Sequence, residues 1–250
     1  MIETKISDGI AVVTMTHGKV NALDIEFCEA MAARFKELAA SPEAKAVVLT
    51  GQGKAFSAGV DLIRLSAGGA DYVRQFMPSL HRSFEAVFFH PKPVVAAVNG
   101  HAIAGGCVLA ACADRRIMAR GSGRIGVTEL LVGVPFPVLA FEIVHAAVPV
   151  RYLPEVMYSG ATYEPDAALE RGFIDEIAEP AELLEDAYAV AQELAALSPA
   201  AFAQTKAQIR RSAAERVVSE AATEQAVTGI WASDATLSYI RAYVERTLKK

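Results

Sequence analysis

Two short apolar runs, Ala46–Thr50 and Val94–Val98, restrict the fold of this chain more than any other feature. Neither alternates polar with apolar residues, so each reads as a strand buried on both faces, as in parallel sheets covered by helices. Gly51 closes the first run and Asn99-Gly100 the second. The segments after the two runs are similar: Gly-Gln-Gly-Lys-Ala-Phe-Ser-Ala-Gly-Val-Asp-Leu over 51–62, and Asn-Gly-His-Ala-Ile-Ala-Gly-Gly-Cys-Val-Leu over 99–109. Each strand passes through small residues and an Ala-Gly pair into an expected helix start. Such a start leaves N–H groups without intrahelical partners, and glycine lets a ligand oxygen approach them closely. Two starts brought together would aim two donors at one oxygen. Alone, either set of glycines (Gly59, or Gly105 with Gly106) reads as permission for a tight turn. The pair is what points to function.

The remaining pattern fits an α/β fold with parallel strands. Ile2–Ser7 and Ile10–Thr16 flank Asp8-Gly9, a pair suited to a type I′ hairpin turn. Asp24 is placed to cap a helix carrying Phe27, Met31, Phe35 and Leu38 at helical spacing, which Ser41-Pro42 ends. A further helix is expected over about 71–89, and strand and helix alternate to about residue 178. From about Glu182 the chain is rich in Ala, Glu and Leu and reads as helical to its end. Ser198-Pro199 makes a break there, and Trp231 is placed near the start of the last helix. This divides the chain into a core over 1–190 and a helical region over 191–250 that packs on the core or on a neighbouring subunit.

Composition narrows the function classes. Hydrophobic residues make up 53% of the 250, yet no apolar segment reaches the roughly 20 residues of a membrane span, so the excess suits buried subunit contacts. The net charge of −5 does not favour nucleic acid. Cys28, Cys107 and Cys112 lack metal-ligand spacing and read as reduced packing residues. With no basic-then-apolar leader at the N-terminus, the expectation is a cytoplasmic protein. Gly51-x-Gly53 lacks the third glycine of a dinucleotide fold, Gly53-Lys54 lacks the rest of a phosphate loop, and no Gly-x-Ser-x-Gly is present. His81, His90, His101 and His145 form no cluster with acidic residues, so no metal site is expected.

Ala55-Phe56-Ser57-Ala58-Gly59-Val60-Asp61-Leu62 and Pro93 to Gly100, running into Ala104-Gly105-Gly106-Cys107, resemble the crotonase superfamily of enoyl-CoA hydratases and isomerases. Val20-Asn21-Ala22-Leu23, Asp114-Arg115-Arg116-Ile117, Gly126 to Gly133 and Tyr239 to Arg246 match further family motifs in order, so the resemblance spans essentially the whole chain. It implies a core of stacked ββα/βαβ units in a spiral, a helical C-terminal trimerisation region, and a homotrimer or a dimer of trimers. It implies an acyl-CoA substrate, with coenzyme A part of the substrate and no separate cofactor. The Val60 and Gly105 N–H groups would hold the thioester oxygen. Lys19, Asn21, Ala22, Ala58, Gly59, Val60, Asp61 and Leu62, with Gly105, Gly106 and Val108, would line the substrate site. Asp61 also reads as a turn or cap residue. The pocket walls are expected from mobile loops such as Ser66 to Val73, or in part from a neighbouring subunit.

The chain departs from the hydratase pattern at one position. Hydratases of the family place two glutamates around a water; here the first position is Val108 and the second is Glu129. An apolar first position, one glutamate and the segment Val134-Pro135-Phe136-Pro137 resemble the Δ3,Δ2-enoyl-CoA isomerases. Glu129 would then be the single acid/base, moving a proton from C2 to C4. Without the resemblance it reads as a solvated charge. Glu142 is a second carboxylate nearby in sequence, better read as an exposed helix residue than as an assistant. Hydration or another thioester reaction of the superfamily is the alternative, and acyl-CoA binding without turnover is a third.

Overall fold

The computed structural model describes residues 1–247. It opens with an antiparallel hairpin of β1 (Ile2–Ser7) and β2 (Ile10–Met15). Asp8 and Gly9 both take positive φ, +49° and +83°, as a type I′ turn requires. Helix α1 (Ile25–Ala40) comes next, with the Asp24 carboxylate accepting from the Phe27 N–H at 2.8 Å and Ser41 at its end.

Three ββα units succeed it. The first is β3 (Ala46–Gly51), β4 (Ala55–Ser57) and α2 (Leu62–Phe88); the second is β5 (Val94–Val98), β6 (His101–Ile103) and α3 (Gly105–Ala111). The third is β7 (Arg115–Ala119), β8 (Ile125–Gly126) and the short α4 (Glu129–Val132). The first strand of each unit joins a six-stranded sheet, ordered β1-β2-β3-β5-β7-β9, that is parallel from β2 onward. The second strand of each unit joins a smaller parallel sheet, β4-β6-β8. The similarity between 51–62 and 99–109 is therefore structural. The two segments are corresponding turns of one spiral, stacked side by side.

The chain continues through α5 (Val138–Ala147), α6 (Leu153–Ser159), α7 (Pro165–Glu170), β9 (Glu176–Ala178) and α8 (Leu183–Ala195). It closes with α9 (Pro199–Ile209), α10 (Arg211–Ser219), α11 (Ala221–Trp231) and α12 (Asp234–Thr247). The large sheet is covered on both faces, which explains its unbroken apolar strands. Val47, Leu49, Val94, Ala96 and Val98 face the main core with α1 and α2, whereas Ala46, Val48, Val95 and Ala97 face Leu183, Ala187 and Ala191 of α8.

The expected break at Ser198-Pro199 is present, with Ser198 capping α9, and α8 before it packs on the large sheet through Ala187 and Ala191. Two expectations change. Trp231 ends α11 rather than starting the last helix. Ser66 to Val73 is helical, within α2, and is interrupted only at Gly69, where φ is +64°. Apolar residues spaced for one helical face override a local glycine pair. Helices α11 and α12 pack back on α2 of the same chain, and that placement closes the site.

Candidate active site

The two Gly-containing turns meet. Gly59 takes φ +79°, and a Cβ on it would lie 2.5 Å from the Ile103 carbonyl oxygen and 3.1 Å from the Gly105 nitrogen. A Cβ on Gly106 would lie 2.2 Å from the Ser57 carbonyl oxygen. Side chains at these positions would push the turns apart, so glycine is required by contact at both and by conformation also at Gly59,. Ala104, just before α3, holds φ +50° without being glycine. Backbone held in such sparsely populated conformations tends to gather at functional sites. Neither the Val60 nor the Gly105 N–H finds a backbone acceptor among the described residues. Both residues line one cavity.

That cavity holds about 860 Å³ and is graded from rim to floor. Lys19, Val20, Ala58 and Ile63 are exposed at its rim, and Ala22, Val60, Asp61, Leu62 and Ala104 are partly buried below them. The deep wall is buried and mostly apolar: Leu80 and Phe84 of α2, Val108 of α3, Val132 and Val134 around α4, Ala140 of α5 and Trp231 of α11. Tyr243 of α12 adds a half-buried aromatic wall. The sequence did not single out Leu80, Phe84, Trp231 or Tyr243 for the site. Their helical spacing marks core, and only the folding back of α11 and α12 brings the last two here.

Glu129 stands at the first position of α4 with 7% of its surface exposed. Its Oε2 is buried and has no hydrogen-bond partner among the described residues. Burial disfavours the charged form and outweighs the help of its own and Thr128's backbone amides. The carboxyl is pushed up from an ordinary 4.5 to about 7,. A carboxyl poised there can both take and return a proton near neutral pH. The solvated-charge alternative for Glu129 is thus overturned.

The other sequence-selected residues separate into cavity and scaffold. Lys19, Ala22, Ala58, Val60, Asp61, Leu62, Gly105 and Val108 line the cavity with Glu129. Asn21, Gly59 and Gly106 do not. Asn21 is buried, and its side-chain amide donates to the carbonyls of Phe56 at 3.0 Å and Ala55 at 3.3 Å, while its Oδ1 accepts from the His17 N–H. Ser57 Oγ donates to the Asn21 carbonyl at 2.7 Å and accepts from the Gly59 N–H at 3.2 Å. These bonds hold the turn that carries Val60, a role in positioning rather than contact. Asp61 caps α2 by accepting from the Arg64 N–H at 2.9 Å. Glu142 is buried, not exposed; it faces away from the cavity and pairs with Arg216 of α10 at 2.7 Å. Its structural partner accounts for it.

Among the described residues no group of His, Cys, Asp and Glu is arranged to hold a metal ion, and no helix is long and apolar enough to cross a membrane.

Comparisons with known proteins place the chain in a family and a fold. The family described as enoyl-CoA hydratase/isomerase matches residues 5–249. A putative enoyl-CoA hydratase of Thermus thermophilus is 38% identical over 189 residues, covering 74% of each chain. The mitochondrial enoyl-CoA delta isomerase 1 of Mus musculus is 24% identical over 253 residues, covering 100% of this chain and 88% of that one. The crystal structure of human mitochondrial delta3-delta2-enoyl-CoA isomerase superposes with a TM-score of 0.93 at 24% identity, over 99% of this chain and 98% of that one. This likeness shows the crotonase fold. With a family match that spans nearly its whole length, the chain is an enzyme of the enoyl-CoA hydratase/isomerase family.

Proposed function

We propose that this enzyme converts 3-enoyl-CoA thioesters to 2-enoyl-CoA thioesters, with Glu129 moving one proton. The observation that carries the reading is a lone buried carboxylate, with an unpartnered oxygen, in a deep wall that is otherwise nearly all apolar. Hydration needs a water held and activated between two acidic groups, and Val108, fully buried, stands where the second would be.

The chemistry rests on the placement. The C2 protons of a 3-enoyl thioester are acidified by the carbonyl and by the adjacent double bond. Glu129 takes one of them, and the electron pair of the broken C–H bond spreads into a dienolate. Its charge collects on the thioester oxygen, facing the Val60 and Gly105 N–H groups. One such donor is worth roughly 3–4 kcal/mol of barrier in other enzymes. Glu129 then returns the proton to C4, and the double bond settles between C2 and C3. Atoms and charge balance with no added water, which Val108 and its neighbours help to exclude. Coenzyme A would lie along the rim formed by Lys19 to Ala22 and Ala58 to Leu62, and no other cofactor enters the reaction. A homotrimer or a dimer of trimers in the cytoplasm belongs to the same proposal, and the exposed apolar side chains Val150, Tyr158 and Val218 are available for subunit contacts.

Hydration is the second reading, favoured by the name of the Thermus relative. Incubation with 3-enoyl-CoA and, separately, with 2-enoyl-CoA distinguishes the two. The isomerase reading expects 2-enoyl product from the first and no 3-hydroxyacyl product from the second. Rapid hydration of 2-enoyl-CoA without isomerisation would overturn it.

A further inference from the structure

One residue of the buried cavity wall bears on which acyl groups fit. Trp231 is 2% exposed and forms part of the deep wall. Its indole N–H donates to the Pro135 carbonyl at 2.8 Å, which fixes the ring from the loop after Glu129 and leaves it no free donor for a ligand. Other residues of α11, Thr228 and Gly229, and Ala232 just after it, line a separate open groove of about 670 Å³ together with Ala70 and Arg74 of α2. A Cβ on Gly229 would meet nothing within 4 Å, so this side of the helix is unfilled. The last turn of α11 therefore has the substrate cavity on one side and open space on the other.

We propose that Trp231 sets the upper length limit of the acyl chain by closing the deep end of the cavity against this groove. The inference rests on the acyl-thioester reading of the site. The buried part of the wall offers an aliphatic tail apolar side chains apart from Thr128 and Glu129, which lie at the reacting end, with the half-buried Tyr243 phenol beside it. The preferred substrates are thus thioesters of unsubstituted aliphatic chains, since a polar group set against Leu80, Phe84 and Ala140 meets only apolar side chains there. Each methylene buried along Leu80, Phe84 and Ala140 strengthens binding about fourfold until the chain reaches the indole. Beyond that length the next methylene must displace a side chain held by packing and by a hydrogen bond, and the gain stops.

The test is calorimetric titration of the intact protein with saturated acyl-CoA thioesters of about four to about sixteen carbons. These ligands do not turn over, so the readout is independent of the reaction. Wild-type affinity is expected to rise with length and then level or fall. In Trp231→Ala the rise continues to longer chains, with short-chain affinity little changed. Trp231→Phe, which keeps an aromatic ring in the wall, moves the limit by less and covers the case in which the alanine variant fails to fold. An unchanged limit in folded variants, or equal weakening at every length, overturns the proposal while leaving the thioester reading intact. Failure of the wild type to bind any acyl-CoA overturns both.

Discussion

Replacing Glu129 with glutamine removes a charge that the fold holds at a cost, and the size of that cost is set by its surroundings. The carboxyl has no partner for Oε2 and is pushed up from an ordinary 4.5 to about 7 by burial. Between those values the folded protein keeps a proton that the unfolded chain has released. The favourable contribution of the protonated form is therefore complete below about pH 4.5 and is lost as pH rises through 7. Glutamine does not titrate, so Glu129→Gln abolishes this dependence. Its own amide costs something in the same apolar wall, and comparing two pH values cancels that constant. From about pH 5 to about pH 8 the stability of the variant relative to wild type is expected to rise by roughly 2.5 kcal/mol. Urea unfolding at fixed protein concentration, followed by Trp231, the single tryptophan, measures it at each pH. Parallel stability–pH curves for the two proteins would refute the claim that Glu129 is buried and unpaired.

The same geometry carries other expectations. Burial of Glu129 puts the ascending limb of kcat/KM against pH near 7 for 3-enoyl-CoA,; a limb near the ordinary glutamate value would contradict it. Gly106→Ala forces a Cβ to within 2.2 Å of the Ser57 carbonyl oxygen, so it should lower stability by about 1–3 kcal/mol and reduce kcat, as urea midpoints and initial rates would show. Arg216→Ala leaves Glu142 buried without its guanidinium partner. With Arg216 itself partly exposed, a loss of about 1–3 kcal/mol is expected, and adding Glu142→Gln should recover part of it. Activity of Glu142→Gln alone should remain near wild type.

Much of the fold was legible because its demands are local. Asp8-Gly9 adopts the positive dihedrals that its composition favours, Asp24 caps the helix it precedes, and Val94–Val98 lacks polar residues because helices cover both faces of its sheet. The meeting of Gly59 with Gly105 was also foreshadowed, since corresponding turns of one spiral repeat the same small residues. Environment was harder to read. Glu129 precedes Leu130-Leu131-Val132, and sequence alone favours a solvated charge there; the cavity it lines is walled by residues from α2, α3, α5, α11 and α12, several of them far away in the chain. Glu142 reversed for the same reason, because its partner lies on α10. Asn21 was grouped with the substrate-binding residues through its neighbours Lys19 and Ala22, yet its side chain turns inward to hold Ala55 and Phe56. A motif fixes which backbone segments converge, but not which side of a turn each side chain takes. The loop expected over Ser66 to Val73 became helix because Leu65, Val73 and Phe76 share a buried face, and α11 and α12 supply the wall instead.

The measurement closest to the central claim is turnover of 3-enoyl-CoA by purified Glu129→Gln, made beside a binding titration with the matching saturated acyl-CoA. Binding should stay within a few-fold of wild type, because the rim, the Val60 and Gly105 donors and the apolar wall are untouched. Isomerisation should fall by about 10²–10⁴-fold, the contribution expected of a positioned acid/base. A folded, ligand-binding variant that still isomerised at near wild-type rate would mean that another group moves the proton.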